Sequence, residues 1–231
     1  MGDLLLIRHG QASFGAADYD QLSPVGEQQS LRLGAWLAAH EAPPAHVVRG
    51  ALRRHAQTAE HCLRGAGLNT PVEVITALDE LDHVELLARH RPDLESHEAF
   101  AAELRAATDP HRAFQQMFVA AVDRWTAGAH DHEYARPWPQ FRRGVLEALT
   151  ALAARARDAD SDTWVVTSGG PIAVIAAQLF GTPPERSFAL SWPLANTGLS
   201  RVRVNGAGPQ MVTYNAWPHL AGADAALLTY R

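Results

Sequence analysis

The sequence predicts an α/β fold: a three-layer α/β/α sandwich built on a mostly parallel central sheet. Three observations carry this. Leu4-Leu5-Leu6-Ile7 is a run of consecutive apolar residues, too short for a helix and suited to a strand covered on both faces. A second buried run, Thr163-Trp164-Val165-Val166-Thr167, passes through Ser168-Gly169-Gly170-Pro171 into a helical pattern. Between the two, helical periodicities alternate with brief strand-like runs, the order that α/β sheets require.

The first run ends in Arg8, His9 and Gly10. This puts a cation and an imidazole at the carboxyl end of a central strand, where open α/β sheets place their ligands. Such a pair suits an anionic, phosphate-like substrate. Gly10 permits a sharp turn or the close approach of a ligand to the backbone. Residues 11–22 are polar and read as a loop over that strand end. Ser23 and Pro24 are an N-cap and a first helical residue. Leu33, Trp36, Leu37 and His40 then recur at helical spacing until Pro43-Pro44. His46-Val47-Val48 is a second strand. It leads through Gly50 into a helix on which Arg54, Thr58 and His61 share a face.

Val72 to Ile75 reads as a third strand, followed by Leu78-Asp79-Glu80 and a small acidic cluster with Asp82 and Glu85. From Leu86 to about Trp125 the pattern is helical, broken at Asp109-Pro110. His130-Asp131-His132-Glu133 offers two imidazoles and two carboxylates. No partner set at recognised zinc spacing follows, so the expectation is a solvated loop and no metal. Phe141 to Arg157 is amphipathic, with Phe141, Val145, Leu149 and Leu152 near one face. After the strand ending at Thr167, a helix carries Ile172, Ile175, Ala176 and Leu179 on one face and stops at Gly181. A strand, a glycine pair and a helix N-terminus make an anion site of backbone N–H groups. Strands at Arg201 to Val204 and Met211 to Asn215 complete the pattern.

Composition narrows the function classes. The chain has 231 residues, 47% hydrophobic and 19% charged, as soluble globular proteins do. A net charge of −5 argues against a general nucleic-acid binder, so any positive site is local. One cysteine, Cys62, leaves no internal disulfide framework and fits a reducing cytoplasm. The N-terminus, with Asp3 and a four-residue apolar run, does not read as a signal peptide, and no apolar run is long enough to span a bilayer.

Three spaced motifs bring a resemblance. Arg8-His9-Gly10 follows a strand, Leu22-Ser23-x-x-Gly26-x-x-Gln29 opens the first helix, and Leu52-x-Arg54-x-x-x-Thr58-Ala59 lies in the second. Together they resemble the histidine phosphatase superfamily, which includes cofactor-dependent phosphoglycerate mutases and acid phosphatases. The resemblance covers the first ~80 residues and the region from about Phe141 onward. It implies a single domain over 1–231, with a helical insertion at about 86–136 forming a cap over the site.

The resemblance also implies roles. His9 is the nucleophile, attacking phosphorus as a neutral imidazole. Arg8 and Arg54 hold the phosphate oxygens and lower the His9 pKa. Leu78-x-Glu80 matches the segment that supplies the proton donor, with Glu80 first and Asp82 or Glu85 as alternatives. Ser168 and Gly169 complete the phosphate site. Here the sequence departs from the family pattern, because Ser168 stands where the family carries a second phosphate-contacting histidine. A serine hydroxyl donates a hydrogen bond but no charge, so slow or specialised turnover is expected, or another group substitutes. His83 is a candidate for that group. The mutase branch carries a tryptophan and asparagines in the loop after Arg-His-Gly. Residues Gln11 to Asp20 lack them, which favours hydrolysis over mutase activity. The expectation is a metal-independent phosphomonoesterase that needs no cofactor and acts on a phosphorylated small molecule or phosphoprotein, not on nucleic acid or membrane. The alternative is a weakened or inactive phosphate-binding module of the same fold. Oligomeric state is not readable from these residues.

Overall fold

In a computed structural model of the chain, residues 2–13, 20–94, 97–159 and 161–230 are described. Six strands form one mixed, mostly parallel sheet flanked by helices. In chain order they are β1 (Asp3–Arg8), β2 (His46–Arg49), β3 (Val72–Val74), β4 (Thr163–Thr167), β5 (Leu199–Asn205) and β6 (Gly208–Ala216). The spatial order is β3-β2-β4-β1-β5-β6. The β3–β2, β2–β4 and β4–β1 pairs are parallel, whereas β1–β5 and β5–β6 are antiparallel. The predicted α/β class and mostly parallel sheet are therefore present, with two antiparallel pairings at one edge.

The helices follow from their end signals. In α1 (Pro24–His40) the Ser23 side chain accepts from the Gly26 N–H and Pro24 takes the first helical position. α2 (Arg53–Ala66) ends where Gly67 turns left-handed at φ 67°, a conformation that glycine adopts without a Cβ penalty. α7 (Gly169–Phe180) ends likewise at Gly181, φ 69°. It starts at the glycine pair itself, so Pro171 is its third residue. The helix expected from Phe141 is longer: α6 spans Trp138–Ala159.

Successive β1 residues are buried on both faces, as an interior strand of an α/β sheet requires. Leu5 and Ile7 join Trp164 and Val166 of β4 in a core with Leu33 and Leu37 of α1 and Ala59, Cys62 and Leu63 of α2. Leu4, Leu6 and Val165 point to the opposite face and are equally buried.

The described residues divide into two compact units, Met1–Glu80 with Gly144–Arg231, and Leu81–Arg143. The second unit resolves the long helical pattern into α3 (His83–His90), α4 (His97–Ala106) and α5 (Pro110–Thr126), followed by the first turns of α6. Asp109 caps α5 by accepting from the Arg112 N–H. The core of this unit includes Trp125, which packs edge-on against Trp138 and Phe141, each with ring centroids 5.3 Å away. Among the described residues no helix is long and apolar enough to cross a membrane.

Candidate active site

The candidate residues that converge all belong to the first unit. Arg8 and Thr167 are partners in the parallel β1–β4 register, and the His9 N–H donates to the Thr167 carbonyl at 2.9 Å. His9 and Ser168 therefore leave neighbouring strands at the same end. The His9 carbonyl accepts from Asn196 Nδ2 and from the Thr197 N–H, both at 3.3 Å, and the Arg8 N–H donates to the Gly198 carbonyl at 3.1 Å. Thr197 holds φ 56°, a left-handed conformation unfavourable for a β-branched residue. Its hydroxyl donates to the Asn196 carbonyl at 2.7 Å and accepts from His219 Nε2 at 2.8 Å. Local strain of this kind gathers where a backbone is being aimed.

His9 is 6% exposed. Its Nδ1 lies 2.8 Å from the Gly10 carbonyl, which can only accept. The proton therefore sits on Nδ1, and Nε2 keeps its lone pair. Burial pulls the His9 pKa well below its ordinary value, and the charges of Arg54 and Arg8, with His55, pull it further. A neutral imidazole with a fixed tautomer beside two guanidinium groups results.

Gly10 is required by packing. A Cβ there would fall 2.5 Å from the Gly26 carbonyl of α1, so protein backbone makes a close approach at this position. The Gly10 N–H donates to Thr58 Oγ1 at 3.1 Å, which in turn donates to the Arg54 carbonyl at 2.7 Å. The second and third motifs thus grip the first. Gln29 does the same, accepting from the Gln11 N–H at 2.9 Å.

The cations are anchored. Arg8 donates from one terminal nitrogen to the Leu194 carbonyl and, at 3.2 Å, to the Tyr230 carbonyl. Arg54 lies 2.6 Å from Asp20, whose other oxygen accepts from the Arg53 N–H at 2.7 Å. The residues of the mutase-discriminating loop at 14–19 lie outside the described residues.

Ser168 and the α7 N-terminus close the group. Both Glu80 carboxylate oxygens lie 3.1 Å from the Gly170 nitrogen. A Cβ at Gly169 would sit 3.8 Å from Glu80 Oε2 and 3.9 Å from Arg8 Nε, so carboxylate and guanidinium flank the same turn. The anion site read from the glycine pair holds a carboxylate of the chain itself. Of the other acids considered, Asp82 caps α3 by accepting from the Val84 and Glu85 N–H groups, both at 3.0 Å. Glu85 accepts from the Ala135 N–H at 2.9 Å. His83 is the first residue of α3, in the second unit. In the same unit His130 pairs with Glu133 at 2.9 Å, and Glu133 also takes Arg124 at 2.7 Å. Among the described residues no group of three or more His, Cys, Asp or Glu is placed to hold a metal ion.

One residue of the group was not singled out from the sequence. The His55 ring centroid lies 5.8 Å from that of His9, and its Nε2 lies 2.6 Å from Ser168 Oγ. His55 is fully buried, and burial holds its pKa well below the ordinary value, with Arg54 and Arg49 adding to the effect. The available signal was helical spacing: His55, Thr58, Ala59 and Cys62 lie on one buried face of α2.

Comparison with known proteins places the chain. The family described as "Histidine phosphatase superfamily (branch 1)" matches residues 4–216. No curated protein matches. Among solved structures, a mutant phosphoserine phosphatase from Entamoeba histolytica in complex with phosphoserine is similar, with TM-score 0.66 and 17% identity over 95% of this chain and 100% of that one. A phosphoglycerate mutase from Bacillus anthracis gives TM-score 0.66 and 16% identity over 95% of each chain. A mycobacterial glucosyl-3-phosphoglycerate phosphatase complexed with VO3 gives TM-score 0.62 and 21% identity, over 94% of this chain and 100% of that one. At these identities the likeness is one of fold.

Proposed function

The chain belongs to the histidine phosphatase superfamily, branch 1, and from that premise we propose that it hydrolyses phosphomonoesters through a phosphohistidine formed on His9, without a metal. The observation that carries this is the state of His9: buried, neutral, its Nδ1 proton committed to the Gly10 carbonyl and its Nε2 lone pair left for attack.

In the first step His9 Nε2 bonds to phosphorus and the phosphorus–ester oxygen bond breaks. Glu80 gives its proton to the departing alkoxide. In the second step Glu80 takes a proton from water, the water oxygen bonds to phosphorus, and His9 leaves with its lone pair restored. Arg8 and Arg54 hold the non-bridging oxygens by charge-assisted hydrogen bonds, with Ser168 and the backbone at Gly169 completing the site. Phosphoryl transfer asks mainly for positioning and charge stabilisation, which two guanidinium groups and a helix N-terminus supply. For substrate to bind, the Glu80 carboxylate leaves the Gly170 N–H and Arg54 shares or exchanges its contact with Asp20. Phosphoserine and glucosyl-3-phosphoglycerate, named for two of the similar structures, are phosphomonoesters. A phosphorylated small molecule is accordingly the substrate class, and hydrolysis is favoured over mutase activity by the composition of the loop after Gly10.

The test is phosphate release from an aryl phosphate across pH 4–8, roughly the range of imidazole and carboxylate titration, for wild type beside His9→Ala. Turnover in the wild type that disappears in the variant, with acid-labile phosphate trapped on the protein, is the expected result. Equal rates in both proteins would defeat the proposal.

A further inference from the structure

The buried pair His55–Ser168 has features that neither packing nor helix formation calls for. Ser168 is the N-cap of α7, yet its side chain makes no capping hydrogen bond. Its Oγ lies instead 2.6 Å from His55 Nε2, in a pair with no solvent exposure. His55 Nδ1 has no hydrogen-bond partner among the described residues. Asp79 Oδ1 lies 3.8 Å from it, beyond hydrogen-bond distance, and already accepts from the Ala51 N–H at 2.5 Å. A buried N–H without an acceptor is rarer than an under-satisfied acceptor. With Nδ1 unprotonated, Nε2–H donates to Ser168 Oγ; with Nδ1–H facing the Asp79 carboxylate, Ser168 would donate to Nε2 instead. In the first of these tautomers the Ser168 hydroxyl hydrogen is left for a ligand.

The surrounding sequence makes room for this imidazole. A Cβ at Gly50 would fall 2.3 Å from His55 Nδ1 and 2.6 Å from Asp79 Oδ1, so only glycine fits before α2 while the ring is there. On the other side the ring centroid of His9 is 5.8 Å away at a tilt of 41°. The two imidazoles are thus near neighbours, and Ser168 Oγ lies against the Nε2 of one of them.

We propose that His55 is a positioning residue of the phosphoryl site, orienting the Ser168 hydroxyl toward a phosphate oxygen, so that a serine at the N-cap of α7 and a histidine on α2 together supply the donor that one side chain at position 168 would otherwise supply. This rests on the phosphatase reading of the same site. It replaces His83, the residue first considered for that role, because His55 is the imidazole in contact with Ser168.

The experiment compares wild type with His55→Ala, His55→Gln, Ser168→Ala, the double Ala variant, and His55→Ala combined with Ser168→His, all checked for fold by circular dichroism. Removing one preorganised oxyanion donor costs on the order of 10²–10³ in kcat. His55→Ala and Ser168→Ala are each expected to lose about that factor. The double Ala variant should be no worse than the more damaged single, since residues acting as one unit are not additive. Gln presents an N–H near the place of Nε2, so His55→Gln should recover within about tenfold of wild type. The relocated histidine, entering the space that the Ala substitution clears, should recover most of the loss. A purely structural role for His55 predicts no rescue by Ser168→His. Wild-type kcat in folded His55→Ala, or losses that multiply in the double variant, would overturn the proposal. The Kd of inorganic phosphate, measured by calorimetry, separates the two readings. If the wild type shows no His9-dependent turnover, the phosphatase reading has failed. The positioning role is then judged by a tenfold or greater weakening of phosphate binding in His55→Ala, and unchanged binding rejects it.

Discussion

Both carboxylate oxygens of Glu80 lie 3.1 Å from the backbone nitrogen of Gly170, the second residue of α7. The contact joins a residue that follows the short helix after β3 to the start of α7, 90 positions later in the chain. It also explains the second glycine of the pair, because a Cβ at 170 would stand 2.2 Å from Glu80 Oε1. Gly170→Ala should therefore displace Glu80 without unfolding the strand end, since the atom in the way is the far end of a flexible side chain. The expected outcome is a loss of roughly 10²-fold in turnover, the lower range of a general acid–base contribution, with a melting temperature within a few degrees of wild type. Unchanged turnover in Gly170→Ala would separate Glu80 from the chemistry.

Glu80→Gln tests the same group by a different route. Gln neither protonates an alkoxide nor takes a proton from water. An aryl leaving group departs without help, so the first step should survive while the second slows by about 10²–10⁴. The measurable consequence is a burst of the aryl alcohol equal to the enzyme concentration, with acid-labile phosphate left on His9. A steady state with no burst, at wild-type rate, would move the proton donor elsewhere.

How much of this site could be read beforehand depends on the range of the contacts. The strand ends carrying Arg8-His9 and Ser168-Gly169 were legible because an apolar run stopping at polar residues is a local signal. Likewise Ser23-Pro24 and Gly181 mark helix ends by their own backbone chemistry. Arg54 and Glu80 were found by resemblance, since helical spacing alone does not distinguish a site arginine from a solvated one. His55 escaped because its role lies in a contact with Ser168, 113 positions away, which no periodicity encodes. Gly10 read as a turn or a close ligand approach, and the α1 backbone that approaches it is a matter of tertiary packing.

Asp20 restrains Arg54 at 2.6 Å and also holds the Arg53 N–H at the start of α2, a helix whose N-cap Leu52 has no side-chain acceptor. On the proposed phosphatase reading, its negative charge competes with phosphate for the guanidinium. Asp20→Asn should accordingly tighten inorganic phosphate binding several-fold, while costing about 1 kcal/mol of stability through the weakened α2 N-terminus. Titration calorimetry with phosphate and a urea unfolding curve give the two numbers. Weaker phosphate binding would mean that Asp20 aligns Arg54 more than it competes for it.

The buried imidazoles set the pH response. His9, His55 and His219 all have folded pKa values below the ordinary one, His9 and His55 well below it and His219 pulled down to about 4 by burial. The acid limb of kcat/KM should therefore lie below the usual imidazole range, because His9 stays neutral through pH 6.5. For stability the sign is fixed by linkage: the unfolded chain takes up these protons first. The stabilisation is fully present above about pH 6.5 and is lost as pH falls toward each folded pKa. For His219 this amounts to about 2 kcal/mol between pH 6.5 and pH 5, at roughly 1.4 kcal/mol per unit. Its Nε2–H donates to Thr197 Oγ1, and His219→Gln keeps a donor while removing the titration. Urea midpoints at pH 7 and pH 5 should differ less in His219→Gln than in wild type, and an equal difference would assign the acid sensitivity to other groups.

The motif that grips His9 depends on a backbone contact between two helices. A Cβ at Gly34 of α1 would fall 2.0 Å from the Cys62 carbonyl of α2, and one at Gly65 of α2 would fall 2.3 Å from the Leu31 carbonyl of α1. Backbone stands in the way in both cases, so neither clash is relieved by a rotamer change. Separating the helices would open the core that Leu33, Leu37, Ala59 and Cys62 share with β1 and β4. Overpacking of this kind costs about 1–3 kcal/mol and occasionally more, and the upper end is expected for Gly34→Ala because both helices would have to move. Cys62 reports the opening: its thiol is fully buried, and burial raises its pKa well above the ordinary value, so it should resist alkylation in the native wild type. Gly206→Ala, where a Cβ meets nothing within 4 Å, is the control. Faster Cys62 labelling and weaker inorganic phosphate binding are expected together in Gly34→Ala, because Thr58 and Arg54 ride on the displaced helix. Faster labelling with phosphate binding intact would show that the α1–α2 contact supports the core without setting the position of Arg54.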